Sequence, residues 1–555
     1  MHARELIGLW HVVLSILGLV LAGTALIVAA QVVSAKTAIP AAVLLTLAGL
    51  AVSASSLPDI VLDPDAVLTL VIPPLLYSAA LKSSLLAIRK NVWTILSLSV
   101  ALVGATATVV GVGMALWVPG VTLAAGLALG AAVAPPDPVA ALAVGRTAGI
   151  PPKLVTLIEG EGLLNDATAL TMLTVATTAI AAEDMTFPHA GGLFVLAAVG
   201  GTVVGLVVAL LIRVAQKFVH DALLLNVISL ATPFVAYVAA EEVHASGVLA
   251  VVVAALVIGH DTRHTVSGAS RLQTSAVWRL IDLLLEGFVF LLIGEQLPTV
   301  VQGLSAYSVS TVATALVVTL AGVLLLRPLW LVLTESIPRR FGPSRTGSTP
   351  LNGREILVMS WAGTRGVITV AAVFSLPLTI DSGAEFEARN LLLFCAFVVV
   401  LVTVIGQGTT FAPLVRALKV HADPAAEART WNEARKGSAE AALQQLDRIA
   451  DEENMDDEAR DVMRAEFERR IDRYDRRLDH LAESGDGTSV VSPEQEAATS
   501  VRRRLLGAQR DELLRWRDAG RLADAGMRAL EHELDHEEHS FHPHQEGDDQ
   551  PSASS

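Results

Sequence analysis

The chain has 555 residues, of which 53% are hydrophobic and only 17% charged, and its mean hydropathy is +0.56. Soluble domains carry about 25% charged residues, so a surface wholly in contact with water is excluded. Nearly all of the net charge of −15 belongs to residues 421–555, with 19 Lys+Arg against 33 Asp+Glu; residues 1–420 hold 21 against 22. Neither part is basic enough to bind nucleic acid. The single cysteine, Cys395, lies in an apolar run and excludes an internal disulfide framework.

Crossing ~30 Å of hydrocarbon takes about 20 apolar residues as helix. That length is met, or nearly met, at 8–32, 39–57, 66–84, 91–117, 121–145, 153–181, 191–215, 220–241, 245–260, 275–298, 308–335, 353–377 and 388–417, which makes thirteen spans. The first is too long for the apolar part of a signal peptide and has only Arg4 as a positive flank, so it reads as a span. Glu241, Glu242 and His244 separate the eighth and ninth, and a merged segment is the alternative there.

Loop charges test the count. With the N-terminus outside, the inner segments collect 18 Lys or Arg, including Lys36, Lys82, Arg89, Lys90, Arg327 and Arg354. The outer segments hold two, Arg4 and Arg389, and carry acids such as Asp59, Asp63, Glu183 and Glu385. This asymmetry is the positive-inside pattern, and it puts the C-terminal tail in the cytoplasm. Within the tail, 421–480 and 494–535 read as helices rich in Ala, Glu and Arg, broken at Ser484 to Pro493. Leu443, Leu446, Ile449, Phe467, Ile471, Leu478 and Leu481 give it a modest apolar stripe, which suits a solvated helical hairpin or a regulatory module. Residues 532–555 mix histidines with many acids and read as disordered, with metal binding or pH sensing as the other option; 541–555 are placed outside the helical tail altogether.

A charge near the bilayer centre costs at least ~2.5–3.5 kcal/mol, so ionisable residues inside spans point to function. In the fifth span, APPDPVAAL places Asp137 among Pro135, Pro136 and Pro138. These prolines remove backbone donors and interrupt the helix, freeing carbonyls and amides beside a carboxylate, which suits a dehydrated cation. In the sixth span, GEGLLNDATAL carries Glu161, Asn165 and Asp166, with Glu159 nearer the cytoplasmic end. Glu161 and Asn165 share a helical face. An apolar setting disfavours the charged form of Asp166, so this carboxylate is suited to take either a proton or a cation, and that competition is the chemistry of an exchanger. In the twelfth span, Arg365 lies between Gly363 and Gly366 and needs a counter-charge at depth; Glu161 is the expected partner. Glu286 and Glu295 in the tenth span are lesser candidates for lining a pathway, and Ser246 and Gly247 read as a helix-packing site.

The interrupted fifth and twelfth spans stand seven apart. An odd offset makes matching repeats run in opposite directions, which points to inverted repeats with the site between them. The expected fold class is therefore an all-α polytopic membrane protein with two interrupted helices, residues 1–420 forming the membrane domain and 421–540 a helical cytoplasmic tail.

Together IPPLLYSAAL, APPDPVAAL, GEGLLNDATAL, HASGVLAVVVAALVIG and GTRGVITVAA closely resemble the sodium/proton exchangers of cation/proton antiporter family 1, with the bacterial branch nearest and the likeness covering about residues 5–420. The resemblance implies a homodimer in the plasma membrane with a dimerisation domain and a core that moves in an elevator-like way. It implies Na⁺, K⁺ or Li⁺ exchanged for H⁺, with no cofactor and no enzymatic reaction. Asp166 matches the family's ion- and proton-binding aspartate, Asn165 its asparagine partner and Asp137 the aspartate at the helix break. Glu161 and Arg365 match the pair that steadies the site. The Asn-Asp form is associated with electroneutral one-for-one exchange.

Three positions depart from the family pattern: Pro136 stands where many members have threonine, Gly162 where many have serine, and Ser78 where several have glutamate. Ser78 keeps a hydroxyl. These departures leave the choice of ion open, with K⁺/H⁺ exchange as the alternative main activity. An intramembrane aspartyl protease built on Asp137 and Asp166 would leave Arg365, Asn165 and the prolines unexplained. A non-transporting membrane sensor would lose its role with residues 421–555, whereas a regulated antiporter lacking them keeps exchange.

Overall fold

In the computed structural model the described residues are 2–535, apart from 38, 55–66, 84–87, 90, 139–140, 143–144, 146–148, 182–186, 220, 266–267, 342–350, 381–383, 484–492, 520, 524–525, 528–529 and 532. The chain divides into two compact units, Met1–Val420 and His421–Ser555. Both are helical, and among the described residues the β-type pairing is one isolated bridge between Thr379 and Glu385.

The first unit contains α1 (His2–Lys36), α2 (Ala41–Ser53), α3 (Ile72–Lys82) and α5 (Leu123–Val133), with the continuous helix α4 (Val92–Trp117) between the last two. There follow α6 (Pro152–Ala181), α7 (Phe187–Phe218), α8 (Ala222–Glu241), α9 (Gly247–Thr265), α10 (Gly268–Gly303) and α11 (Val309–Phe341). It closes with α12 (Gly353–Trp361), α13 (Val367–Phe374) and α14 (Arg389–Leu418). Six of the described helices are long and apolar enough to cross a bilayer: α4, α8, α14 and the greater parts of α6, α7 and α11. Shorter apolar helices include Val20–Lys36, Ala41–Ser53 and Gly247–His260. The eighth and ninth expected spans are separate helices, α8 and α9, joined through His244 at a positive φ of 55°.

Local chemistry sets the helix starts. Thr122 accepts from the Ala125 amide at 3.2 Å to begin α5, Asp221 accepts from the Leu223 and Leu224 amides to begin α8, and Asn352 with Glu355 forms a capping box on α12. Ser246, expected at a packing site, caps α9 through the Leu249 amide and meets Thr171 of α6 at 3.0 Å. Helices α2 and α10 cross backbone to backbone: a side chain on Gly49 would strike Leu291, and one on Gly294 would strike Thr46. Apolar helices in lipid gain nothing from burying apolar surface against one another, so close van der Waals packing through small residues holds such contacts. Tyr77 of α3 stacks on Trp278 of α10 with ring centroids 5.1 Å apart, and the Trp278 indole donates to Ser229 of α8 at 3.0 Å.

The second unit corrects one expectation. The helix expected over 421–480 is two helices, α15 (Pro424–Glu452) and α16 (Asp457–Glu483). They turn at Asn454, whose φ of 52° ends a helix in the left-handed region that Asn tolerates. Leu446, Ala450 and Leu481 are buried in this unit, while Ile449 is exposed, so the apolar stripe is narrower than its sequence spacing suggests. Lys436 reaches Asp475 at 2.6 Å between the two helices. A third helix, α17, spans Pro493–Asp518. The expected break at Ser484 to Pro493 lies, Pro493 aside, outside the described residues, and so does the His-rich end from residue 536 onward.

Candidate cation-binding site

Two interrupted helices meet at the centre of the first unit. After α5 ends at Val133 the backbone leaves helical geometry through Ala134 to Asp137, and helical residues resume at Pro138. The sequence explains the restart, because Asp137 stands in the N-cap position and Pro138 in the first helical position, where a missing amide costs nothing. The second interruption runs from Ala362 to Gly366, between α12 and α13. The two breaks bond to each other: the Asp137 amide donates to the Thr364 carbonyl at 2.7 Å, and the Thr364 hydroxyl donates to the Asp137 carbonyl at 3.1 Å. Any side chain on Gly366 would run into the Asp137 carboxylate. That carboxylate therefore sits against the positive N-terminus of α13 as well as its own helix start.

Arg365 lies at the opposite poles. Its Nε donates to the Val133 carbonyl at 2.7 Å, and its Nη1 donates to the Gly363 carbonyl. Interrupted helices leave carbonyls without intrahelical donors, and the guanidinium supplies donors and positive charge where the partial charges are negative. The Arg365 amide donates to Thr403 Oγ1 at 3.0 Å. Thr403 opens a π-helical turn, Thr403–Gly408, inside α14, and a second π turn, Ser97–Leu102, lies in α4. Such turns concentrate at functional sites because they displace side chains from regular α register.

Helix α6 brings the remaining groups. Asn165 is fully buried, and its Nδ2 donates to the Pro136 carbonyl at 3.0 Å. Its Oδ1 is buried without a hydrogen-bond partner. Asp166 is 7% exposed and lies within electrostatic reach of Asp137. Gly162 faces the ring of Pro138, and the missing side chain lets α6 approach the break. Glu159 is half-buried on the same helix.

The expected Glu161–Arg365 pair is not formed. Glu161 is held by Arg327 of α11 in a bidentate ion pair, Nη1 on Oε1 and Nη2 on Oε2 at 2.9 Å, with both residues almost fully buried. Arg327 also donates from Nε to the Met359 carbonyl at 3.0 Å, tying α6, α11 and α12 together. The Ser99 hydroxyl of α4 donates to the Glu161 carbonyl at 3.1 Å. Two forked guanidinium bonds match a carboxylate better than any other cation does, while Arg365 is taken by the carbonyls of the breaks. In the sequence Arg327 falls among the charges assigned to the inner side; its place inside an otherwise apolar span was the available signal.

Ser78 and Glu286 lie on neighbouring helices. The Ser78 hydroxyl donates to Asp282 of α10 at 2.6 Å, and Lys82 reaches the same oxygen at 2.8 Å. Glu286 is half-buried one turn further along α10, within electrostatic reach of Asp137, Asp282 and Lys82.

Residues 21–417 match the family described as "Sodium/hydrogen exchanger, transmembrane". A protein named as a Na(+)/H(+) exchanger in Mycobacterium tuberculosis is 32% identical over 486 residues, covering 86% of this chain and 88% of the relative. The sodium, potassium, lithium and rubidium/H(+) antiporter of Bacillus subtilis is 32% identical over 359 residues, 62% of this chain and 53% of that one. In fold, the chain is similar to the sodium proton antiporter MjNhaP1 from Methanocaldococcus jannaschii, with a TM-score of 0.56 at 18% identity over 75% of this chain and 99% of that chain. The chain belongs to the sodium/hydrogen exchanger family of membrane antiporters.

Proposed function

We propose that the protein exchanges Na⁺ for H⁺ across the plasma membrane, one for one, by competition of the two ions for Asp166. The observation that carries this reading is the juxtaposition of Asp166, Asp137 and the partnerless Asn165 Oδ1 at the crossing of two broken helices. Carboxylate and carbonyl oxygens in this setting replace the hydration shell of a monovalent cation, and a proton neutralises the same carboxylate. In this reading Asp137 and Asp166 bind the ion, Asn165 orients the break, and Arg365 and the Glu161–Arg327 pair hold the scaffold. A homodimer with inverted repeats, an outer N-terminus, a cytoplasmic tail and an elevator-like moving core completes the proposal.

A second reading, K⁺/H⁺ exchange as main activity, draws support from the Bacillus relative's name and from Pro136, Gly162 and Ser78 at positions where many members carry oxygen ligands or a carboxylate. Everted membrane vesicles test both. Adding Na⁺, Li⁺ or K⁺ should dissipate a preformed pH gradient, and the ion effective at lowest concentration names the substrate. Asp166→Asn and Asp137→Asn should abolish the response at normal protein levels; a full response in Asp166→Asn would rule the mechanism out.

A further inference from the structure

We propose that a cavity bounded by α5, α6, α7 and the segment before α14 binds phosphatidylethanolamine, the zwitterionic phospholipid whose headgroup ends in a primary ammonium. The cavity holds about 760 Å³, within the ~300–1,000 Å³ of ligand sites, and like them it combines apolar walls with few polar groups. Leu127 of α5, Met172, Val175 and Ile180 of α6, and Phe194 of α7 form much of the wall. Asp137, Asn165, Asp166 and Arg365 do not line it, so it is distinct from the crossing of the broken helices.

Its place along the helices fits a lipid. The cavity lies where α5 begins, α6 ends and α14 is about to start, which is headgroup depth for helices that cross a bilayer. From the end of α6 at Ala181 it reaches back to Met172, about 14 Å along the axis at 1.5 Å per residue. An apolar hollow of that reach suits an acyl chain better than water, which needs polar partners.

The mouth selects the headgroup. The charged residues that line the cavity are Glu385 and Glu387, both exposed. Among the described residues neither carboxylate makes an ion pair or a side-chain hydrogen bond. Arg389, two residues on, is committed elsewhere: its Nε donates to the Leu376 carbonyl and its Nη2 to the Phe374 carbonyl, both at 3.1 Å. Backbone bonds hold the acidic segment in place. The Phe386 amide donates to the Leu378 carbonyl at 3.0 Å, and the Tyr307 hydroxyl donates to the Glu387 carbonyl at 3.1 Å. Two carboxylates without a counter-ion repel an anionic headgroup and attract an ammonium, whose three N–H groups donate to both. Leu123 and Ala124 line the same cavity and open α5, and the first amides of a helix, which lack intrahelical acceptors, suit the phosphate of that headgroup.

The test uses the purified full-length protein in detergent, with bound lipid read by native mass spectrometry against added dioleoyl phosphatidylethanolamine, phosphatidylcholine or phosphatidylglycerol. Wild-type protein should bind phosphatidylethanolamine best, phosphatidylcholine less, because its quaternary ammonium has no N–H to donate, and phosphatidylglycerol least. Glu385→Gln/Glu387→Gln should weaken phosphatidylethanolamine binding about fivefold, the scale of two exposed ion pairs, and erase its preference over phosphatidylglycerol. Glu385→Asp/Glu387→Asp should keep that preference. Ala179→Phe, which puts a ring into the cavity, should lower binding of all three lipids. Equal binding of the three lipids by the wild-type protein overturns the proposal, as does an unchanged preference in the double Gln variant. Binding of dodecylammonium without binding of phosphatidylethanolamine would assign the cavity to a soluble amphiphilic amine and overturn it too. Binding is read without transport, so failure of the exchange reading leaves this result untouched.

Discussion

Removing Arg327 would leave the Glu161 carboxylate 1% exposed and without its guanidinium. An uncompensated buried charge costs about 3–5 kcal/mol, so Arg327→Ala should lower the thermal midpoint in detergent and the yield of folded protein. Replacing both partners by apolar groups removes the penalty, and Glu161→Leu/Arg327→Met should recover much of that stability. Equal midpoints for the Ala variant and the wild type would show that the pair is not structural. Glu161 and Arg365 both stand out in the sequence, but Glu161 pairs with Arg327 instead. Helix α11 continues to Phe341, which puts Arg327 about 21 Å from that end at 1.5 Å per residue, although in the sequence it falls among the charges assigned to the inner side. Spacing also says nothing of which face of α11 meets α6. Asn165 and Asp166 were legible for the opposite reason, since polar side chains in the middle of an apolar helix stand out wherever the helix packs.

At the level of elements, the fifth-span break could be read directly, because three prolines around Asp137 forbid a continuous helix. The twelfth-span break has no proline, and only Gly363, Arg365 and Gly366 marked it. The π turns within α4 and α14 left no sequence signal, since they contain ordinary residues such as Leu98 and Val404. The crossing yields a sharper test than either break alone. Gly366→Ala puts a methyl group where the Asp137 carboxylate lies, and the backbone at Gly366 has an ordinary extended φ of −121° that alanine adopts without strain. The expected result is loss of most exchange in vesicles with folded protein retained, because the carboxylate must move while the helices need not. Wild-type exchange in Gly366→Ala would mean that Asp137 works from another position.

For the whole molecule, the proposed one-for-one exchange rests on the charges at the crossing. Glu161 and Arg327 cancel, leaving Asp137 and Asp166 against Arg365, a net charge of −1. On the proposed reading one proton or one monovalent cation neutralises that site, so that each translocation carries the same charge in either direction. The exchange rate in proteoliposomes should then be insensitive to an imposed membrane potential of either sign. Asn165→Asp adds a carboxylate beside Asp166 and makes the net charge −2, so the variant should carry a second proton per cation and gain a dependence on potential. A strong potential dependence in the wild-type protein would require another titrating group to travel with the site and would refute one-for-one exchange. An Asn165→Asp variant that stays insensitive would show that the added carboxylate keeps its proton throughout the cycle, acting only as a neutral donor to the Pro136 carbonyl as Asn165 does now.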